Sequence, residues 1–209
     1  TLRALFKGGS EEFRIGVGGQ FNVWNATSAL AGLLALGYGL GESCRAMESV
    51  TQVPGRFESV PTGRGFSIIV DYAHTEDALE KLLLSVRELG PSRVITVFGC
   101  GGDRDKTKRP MMARAASANS DVTIVTSDNP RTEDPEAIIA EVVKGIVLGA
   151  ASETIVDRRE AIRRAVGLAR EGDVVVIAGK GHEDYQIIGR TKHPMDDREM
   201  AREALAVAQ

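Results

Sequence analysis

Cysteine is scarce in this 209-residue chain, which carries only Cys44 and Cys100. Two thiols in unrelated contexts build no disulfide framework. Neither has a CxxC or His partner at metal-ligand spacing, which argues against a thiolate metal site. Both read as buried or loop thiols of a protein kept in a reducing, cytoplasmic setting. Long apolar runs are missing too: none approaches the roughly 20 residues that span a bilayer. The opening Thr1-Leu2-Arg3-Ala4-Leu5-Phe6-Lys7 lacks the apolar core and cleavage pattern of a signal peptide. Basic surplus is absent as well, with a net charge of −3 and an isoelectric point near 5.7. That balance argues against general nucleic-acid binding, and no block of like charge forms a tail. No repeat and no low-complexity segment occurs. The chain begins at Thr1 in mid-pattern and without Met, as an excised piece of a longer protein would.

What is present is ordinary globular material, 43% hydrophobic and 26% charged, in a length that holds one domain and part of another. Up to about Gly55, glycines at 8, 9, 16, 18 and 19 interrupt short apolar pieces. From Asn22 to Leu36, Val23, Trp24, Ala26, Ala29, Leu30, Leu33 and Leu34 recur at helical spacing, and Gly37 and Gly39 end that helix. A second helix spans about Glu42 to Val50. Val53-Pro54-Gly55 breaks the pattern and marks a domain boundary. Strands and helices then alternate: a strand at Phe66–Val70; a helix from Thr75 to Leu89, capped by Thr75; a strand at Arg93–Phe98. A Gly-rich loop to Arg109 precedes a helix with Pro110 in its first turn. A strand at Val122–Thr126 follows, then a helix from Asp134 to Ile146, a strand at Thr154–Val156 and a helix at Arg159–Ala169. The chain closes with a strand at Val174–Ala178, an edge strand at Tyr185–Ile188 and a helix at Asp197–Val207. Apolar strands without alternation, separated by helices, predict a doubly wound, mostly parallel α/β sheet covered on both faces.

In such sheets ligands bind beyond the carboxyl ends of the strands. That rule selects four loops: Asp71–His74, Gly99–Arg109, Ser127–Arg131 and Gly179–Asp184. All four are dense in titratable and glycine residues, whereas a rim built for turn geometry alone would use Ser, Thr, Asn and Gly. In the second loop, Gly99, Gly101 and Gly102 permit close backbone approach to a ligand, and Arg104, Lys106, Lys108 and Arg109 supply positive charge. The loop fails the GxGxxG fingerprint at its last position, and GxxxxGK[ST] occurs nowhere in the chain. In the third, Asp128, Asn129 and Arg131 around a stiffening Pro130 suit a zwitterion carrying both amine and carboxylate. An ordinary Asn-Pro turn into a helix explains the same residues equally well. Glu183 in the fourth is either a solvated carboxylate or the partner of an amine. His74 and His182 also stand at strand ends. No Ser-His-Asp order is present.

Taken in sequence, Phe21-Asn22-Val23-Trp24-Asn25-Ala26, Pro54-Gly55-Arg56-Phe57-Glu58, Asp71-Tyr72-Ala73-His74-Thr75, Gly99 to Pro110, Asp128 to Arg131 and Ala178 to Gln186 resemble the MurE-type Mur ligases. The likeness runs from about Gly19 to the end. Six motifs in order are specific where any one would be weak. The resemblance implies an ATP-dependent acid–amino-acid ligase that adds meso-diaminopimelate to UDP-MurNAc-L-Ala-D-Glu in peptidoglycan synthesis, with ATP and Mg2+. It further implies that residues 1–55 end the central ATPase domain and that residues 56–209 form the Rossmann-like amino-acid-docking domain. The family's P-loop, magnesium ligands and carbamylated lysine would lie outside this chain, leaving it inactive alone. By the same resemblance, Arg104, Asp128, Asn129, Pro130, Arg131, Gly179 and Glu183 bind diaminopimelate. Asn22, Asn25, Arg56, Asp71 and His74 then contact ATP, with Arg56 near the terminal phosphates and Asp71 near the ribose. No catalytic residue, nucleic-acid contact or membrane contact is implied. Glu76 stands where the family usually has Pro, at an expected helix start, and the first dozen residues match poorly. A ligase for another amino acid, a folate- or cyanophycin-type relative and a binding module without catalysis remain alternatives.

Overall fold

The computed structural model describes residues 1–50 and 52–207. Thr51, in the expected linker, and residues 208 and 209, at the end of the expected second domain, lie outside the described residues. The first stretch forms a hairpin of β1 (Leu2–Phe6) and β2 (Gly9–Phe13), then helices α1 (Gln20–Ala35) and α2 (Leu40–Glu48). Its apolar core is small: Phe13, Leu30 and Cys44 are buried, with Ile15, Leu34, Leu40 and Met47 packed around them. Of the apolar residues that mark α1, Trp24 stays 67% exposed, so the helical period is right but its stripe is only partly covered.

Beyond it lies a six-stranded sheet. In chain order its strands are β3 (Glu58–Val60), β4 (Ser67–Asp71), β5 (Val94–Cys100), β6 (Val122–Ser127), β7 (Ser152–Thr154) and β8 (Val174–Ala178), arranged β3-β4-β8-β5-β6-β7. Only the β3–β4 pair is antiparallel. Strand β8 therefore inserts between β4 and β5, and the chain changes direction there, as doubly wound sheets do. Alternate residues of each strand serve opposite faces, and both faces are apolar because both are covered. Ile69, Phe98, Val125 and Val176 meet helices α3 (Glu76–Arg87), α4 (Lys108–Asn119) and α5 (Pro135–Val142). Ile68, Val97, Ile124 and Ile177 meet α6 (Arg158–Leu168) and α7 (Asp197–Val207).

Local chemistry explains most element starts. The Thr75 hydroxyl accepts from Ala78 N at 3.3 Å, Asp134 and Asp157 cap α5 and α6, and Pro135 opens α5. Glu76 begins α3, as expected of that position. Four expectations need correction. Leu89 lies past the end of α3 and is 59% exposed. Helix α5 stops at Val142 and tightens into a 3-10 turn, Val143–Gly145, before Ile146. The seventh strand ends at Thr154 rather than Val156. The expected edge strand, β9 (Tyr185–Ile188), pairs with β10 (Thr191–Pro194) in a separate hairpin instead of the main sheet. No helix among the described residues is long and apolar enough to cross a membrane.

Candidate functional site

The four strand-end loops meet around one cavity of about 340 Å³, lined by Arg104, Asp128, Asn129, Arg131, Gly179 and Glu183. Pro130, expected among the ligand contacts, is buried behind this wall. Arg131 sits in the left-handed region at φ 53, a conformation costing about 1 kcal/mol or more for a side chain with a Cβ. The β9–β10 hairpin holds it there: Arg131 N donates to Ile187 O at 3.0 Å, and Gly189 N donates to Arg131 O at 2.7 Å. Its Nη1 donates to Gly102 O at 2.8 Å and to Asn129 O at 3.4 Å. Among the described residues, Nε and Nη2 make no hydrogen bond, so that edge of the guanidinium is available to an anion.

Asn129 lines the cavity and also braces the protein around it. It is 5% exposed, and its Oδ1 accepts from Lys180 Nζ at 3.1 Å and from Ile187 N at 2.9 Å. Its Nδ2 donates to Glu183 Oε2 at 3.0 Å. Lys180 was missed by sequence reading. No local signal marks it, since a lysine after Gly179 reads as an ordinary loop residue. Its side chain is wholly buried, 3.3 Å from Glu183 Oε2 and 3.9 Å from Asp128 Oδ1. Burial raises the Asp128 pKa above the usual carboxylate range. Arg158 and Lys180 oppose that shift, while Asp197 and Glu183 add to it. Gly179, at φ 116, would carry a Cβ 2.8 Å from Asp128 Oδ2, so a side chain there would displace the carboxylate. Beneath the site, the fully buried Arg158 grips Asp197 through two bonds of 2.7 Å. This pair too was invisible to periodicity, because both residues occupy ordinary first-turn positions of their helices.

The Gly99–Arg109 loop is built differently from expectation. Its glycines admit neighbouring backbone: a Cβ on Gly102 would lie 1.9 Å from Pro130 O, and one on Gly99 2.4 Å from Thr126 O. Arg109 lines the cavity but is 1% exposed and bonded to Glu133 and Glu141. Lys106 also pairs with Glu133, at 3.2 Å. Those contacts, with Arg109 first, hold the Glu133 carboxyl down at about 2. Asp103 closes the junction by accepting from Thr132 Oγ1 at 2.7 Å. Arg104 remains exposed at the rim. Cys100 lines the floor, and burial, followed by Asp128, pushes its thiol up to about 12.

A second cavity, about 740 Å³, lies between α1 and the start of α3, and Asn22, Asn25, Arg56, Asp71 and His74 all line it. Ile15, Val17, Phe21 and Met47 form an apolar side. Asp71 also has partners within the protein. It is 6% exposed and accepts from Phe57 N at 2.7 Å and Ala73 N at 2.8 Å; burial raises its pKa against those bonds. Asn22 and Asn25 are joined at 3.1 Å. His74 Nδ1 donates to Tyr72 O at 2.8 Å. The Arg56 guanidinium lies 4.8 Å from the Tyr72 ring centre, a cation–π distance. Tyr72 and His74 line both cavities.

Among the described residues no three His, Cys, Asp or Glu side chains converge as a metal-binding set.

Residues 55–181 match the family model described as Mur ligase, glutamate ligase domain. The chain is similar to the UDP-N-acetylmuramoyl-L-alanyl-D-glutamate--2,6-diaminopimelate ligase of Geobacillus thermodenitrificans, 53% identical over 188 residues that cover 90% of this chain and 38% of that protein. The protein of that name from Clostridioides difficile is 47% identical over 207 residues, 99% of this chain and 43% of its own length. A solved structure of a ligase of that name superposes with a TM-score of 0.73 at 40% identity, covering 98% of this chain and 42% of its own. The chain thus spans well under half the length of these relatives, and the initial residues that matched poorly by motif fall within the longer alignments.

Proposed function

We propose, from the premise that this chain belongs to the Mur ligase family by its glutamate ligase domain, that it docks the incoming amino acid in an ATP-dependent ligase acting on UDP-MurNAc-L-Ala-D-Glu. The incoming amino acid is meso-diaminopimelate, the substrate that the relatives' names specify. Residues 1–55 end the ATP-binding domain, and residues 56–209 are the docking domain. ATP phosphorylates the D-glutamyl γ-carboxylate; the diaminopimelate amine, after losing a proton, attacks the acyl phosphate; an amide forms and phosphate leaves. Mg2+, held by residues expected outside this chain, would supply charge neutralisation at the phosphates. The reaction belongs to the bacterial cytoplasm, where ATP and the nucleotide-linked precursor are found, and it serves cell-wall growth.

One observation carries the reading. The smaller cavity brings the uncommitted edge of Arg131 and the rim Arg104 together with the Glu183 carboxylate. That arrangement matches a distal carboxylate and a distal ammonium on one carbon. Lysine offers the ammonium alone, so it would leave Arg131 facing no anion, and a missing polar partner costs more than a missing methylene. The larger cavity suits ATP, with Asn22, Asn25 and Asp71 toward the nucleoside and Arg56 toward the phosphates.

The test is turnover by the full-length ligase, with UDP-MurNAc-L-Ala-D-Glu and Mg-ATP, of meso-diaminopimelate against L-lysine. The expected kcat/KM ratio is about 100-fold or more in favour of diaminopimelate, since a site built for a polar group rejects the analogue lacking it. Comparable use of lysine would make the chain part of a ligase for another amino acid. Hydrolysis of ATP by residues 1–209 alone would contradict the domain assignment.

A further inference from the structure

We propose that Lys180 is a positioning residue for amino-acid recognition: buried beneath the cavity, it fixes Asn129 and Glu183 so that one oxygen of Glu183 faces the ligand ammonium. This deepens the reading above and rests on it.

The geometry is specific. Lys180 Nζ lies 3.1 Å from Asn129 Oδ1 and 3.3 Å from Glu183 Oε2. Asn129 Nδ2 donates to the same Oε2 at 3.0 Å. Two donors therefore converge on Oε2, and among the described residues Oε1 accepts no hydrogen bond. A carboxylate held by one oxygen presents the other in a fixed direction. The lysine also stands 3.9 Å from Asp128 Oδ1, so its charge offsets two carboxylates that would otherwise repel across the floor of the cavity. Its side chain is 0% exposed. Taking an ammonium out of water is costly unless it is both paired and hydrogen-bonded, and here it has a carboxylate and an amide oxygen. Its carbonyl adds to the arrangement by accepting from Glu183 N at 2.9 Å. Lys180 itself is not among the residues lining either cavity, so its influence on a ligand passes through Asn129 and Glu183.

The experiment uses the full-length ligase and the variants Lys180→Met, Glu183→Gln and their double. Lys180→Met keeps the length of the side chain and removes the charge. It should raise KM for meso-diaminopimelate about 10- to 100-fold, the range expected when a hydrogen bond to a charged group is lost. KM for ATP and for UDP-MurNAc-L-Ala-D-Glu should stay within about twofold of wild type, as expected of sites that share no partner with the lysine. If lysine and glutamate act as one unit, the double variant should lose no more than the worse single variant. An unchanged diaminopimelate KM in folded Lys180→Met overturns the proposal. So does an equal rise in all three KM values with additive losses in the double, which is the signature of a merely structural role. Should Lys180→Met fail to fold, Asn129→Ser interrogates the same link from its other end, and a wild-type diaminopimelate KM there overturns the proposal. Failure of the parent reading shows separately, in the wild-type enzyme's choice between diaminopimelate and lysine. The variants can then be read with whichever amino acid the wild type accepts.

Discussion

The two cavities share the wall of Tyr72 and His74, yet they are constructed on opposite plans. The smaller one is assembled from four loops of a single sheet, over a floor of buried charge: Lys180, Asp128 and the Arg158–Asp197 pair. The larger one spans two parts of the chain, with α1 and the segment before it on one side and the β4–α3 junction on the other. Its first side rests on a core of few residues. The contrast teaches where rigidity is placed. In the proposed reading the smaller cavity discriminates between similar amino acids, a task that fixed donors and acceptors held by buried ion pairs and loop-to-loop contacts would serve. In the same reading the larger cavity takes ATP, and a cavity between two parts can open and close to exchange a nucleotide.

That contrast can be broken or sharpened experimentally. The largest effect is expected at Asp197→Ala, which leaves the fully buried Arg158 without its carboxylate. Denaturant unfolding of the chain should show a loss of about 3–5 kcal/mol, and a loss under 1 kcal/mol would deny the floor its structural part. Next comes Arg131→Ala in the full-length ligase. KM for diaminopimelate should rise about 100-fold, as for truncation of one partner of a hydrogen-bonded charge pair, while KM for ATP moves less than about twofold. A parallel rise for ATP would merge the two cavities into one functional unit. Gly102→Ala should destabilise the chain by about 1–3 kcal/mol through overpacking against Pro130 O. Trp24→Ala, on the exposed face of α1, should shift the stability of the isolated chain by no more than about 0.5 kcal/mol.

Acid should act on the smaller cavity's rim. The Glu133 carboxyl is held below its ordinary value of 4.5, at about 2, chiefly by Arg109. A depressed carboxylate stabilises the fold above its unfolded pKa, and that contribution is lost as pH falls through the folded value. Amide exchange of Gly101–Arg109 and Thr132–Glu133 should therefore be pH-independent in protection above about 4.5 and lose protection toward about 2. Glu133→Gln should remove that dependence.

Much of the architecture was legible because apolar runs, caps and turn residues each have a local cause. The β8 run Val174–Ala178 is wholly apolar because both faces of the sheet are covered, and Asp134-Pro135 starts a helix by cap and fixed φ. The four loops were legible as a site through the topology of such sheets, and six residues expected to dock an amino acid do line one cavity. What stayed hidden depends on distant partners. Nothing local announces that Lys180 and Arg158 are buried, that Arg109 is spoken for by Glu133 and Glu141, or that Asn129 spends its amide on the scaffold. The β9 strand was visible, but its separation from the main sheet was not, since strand propensity says nothing of the partner.

The most direct measurement is a crystal structure of the full-length ligase with meso-diaminopimelate bound. The account predicts the distal carboxylate on Arg131 and Arg104 and the distal ammonium on Glu183 Oε1, in the smaller cavity. A ligand seated between α1 and α3, or one whose distal carboxylate turns away from Arg131, would contradict it.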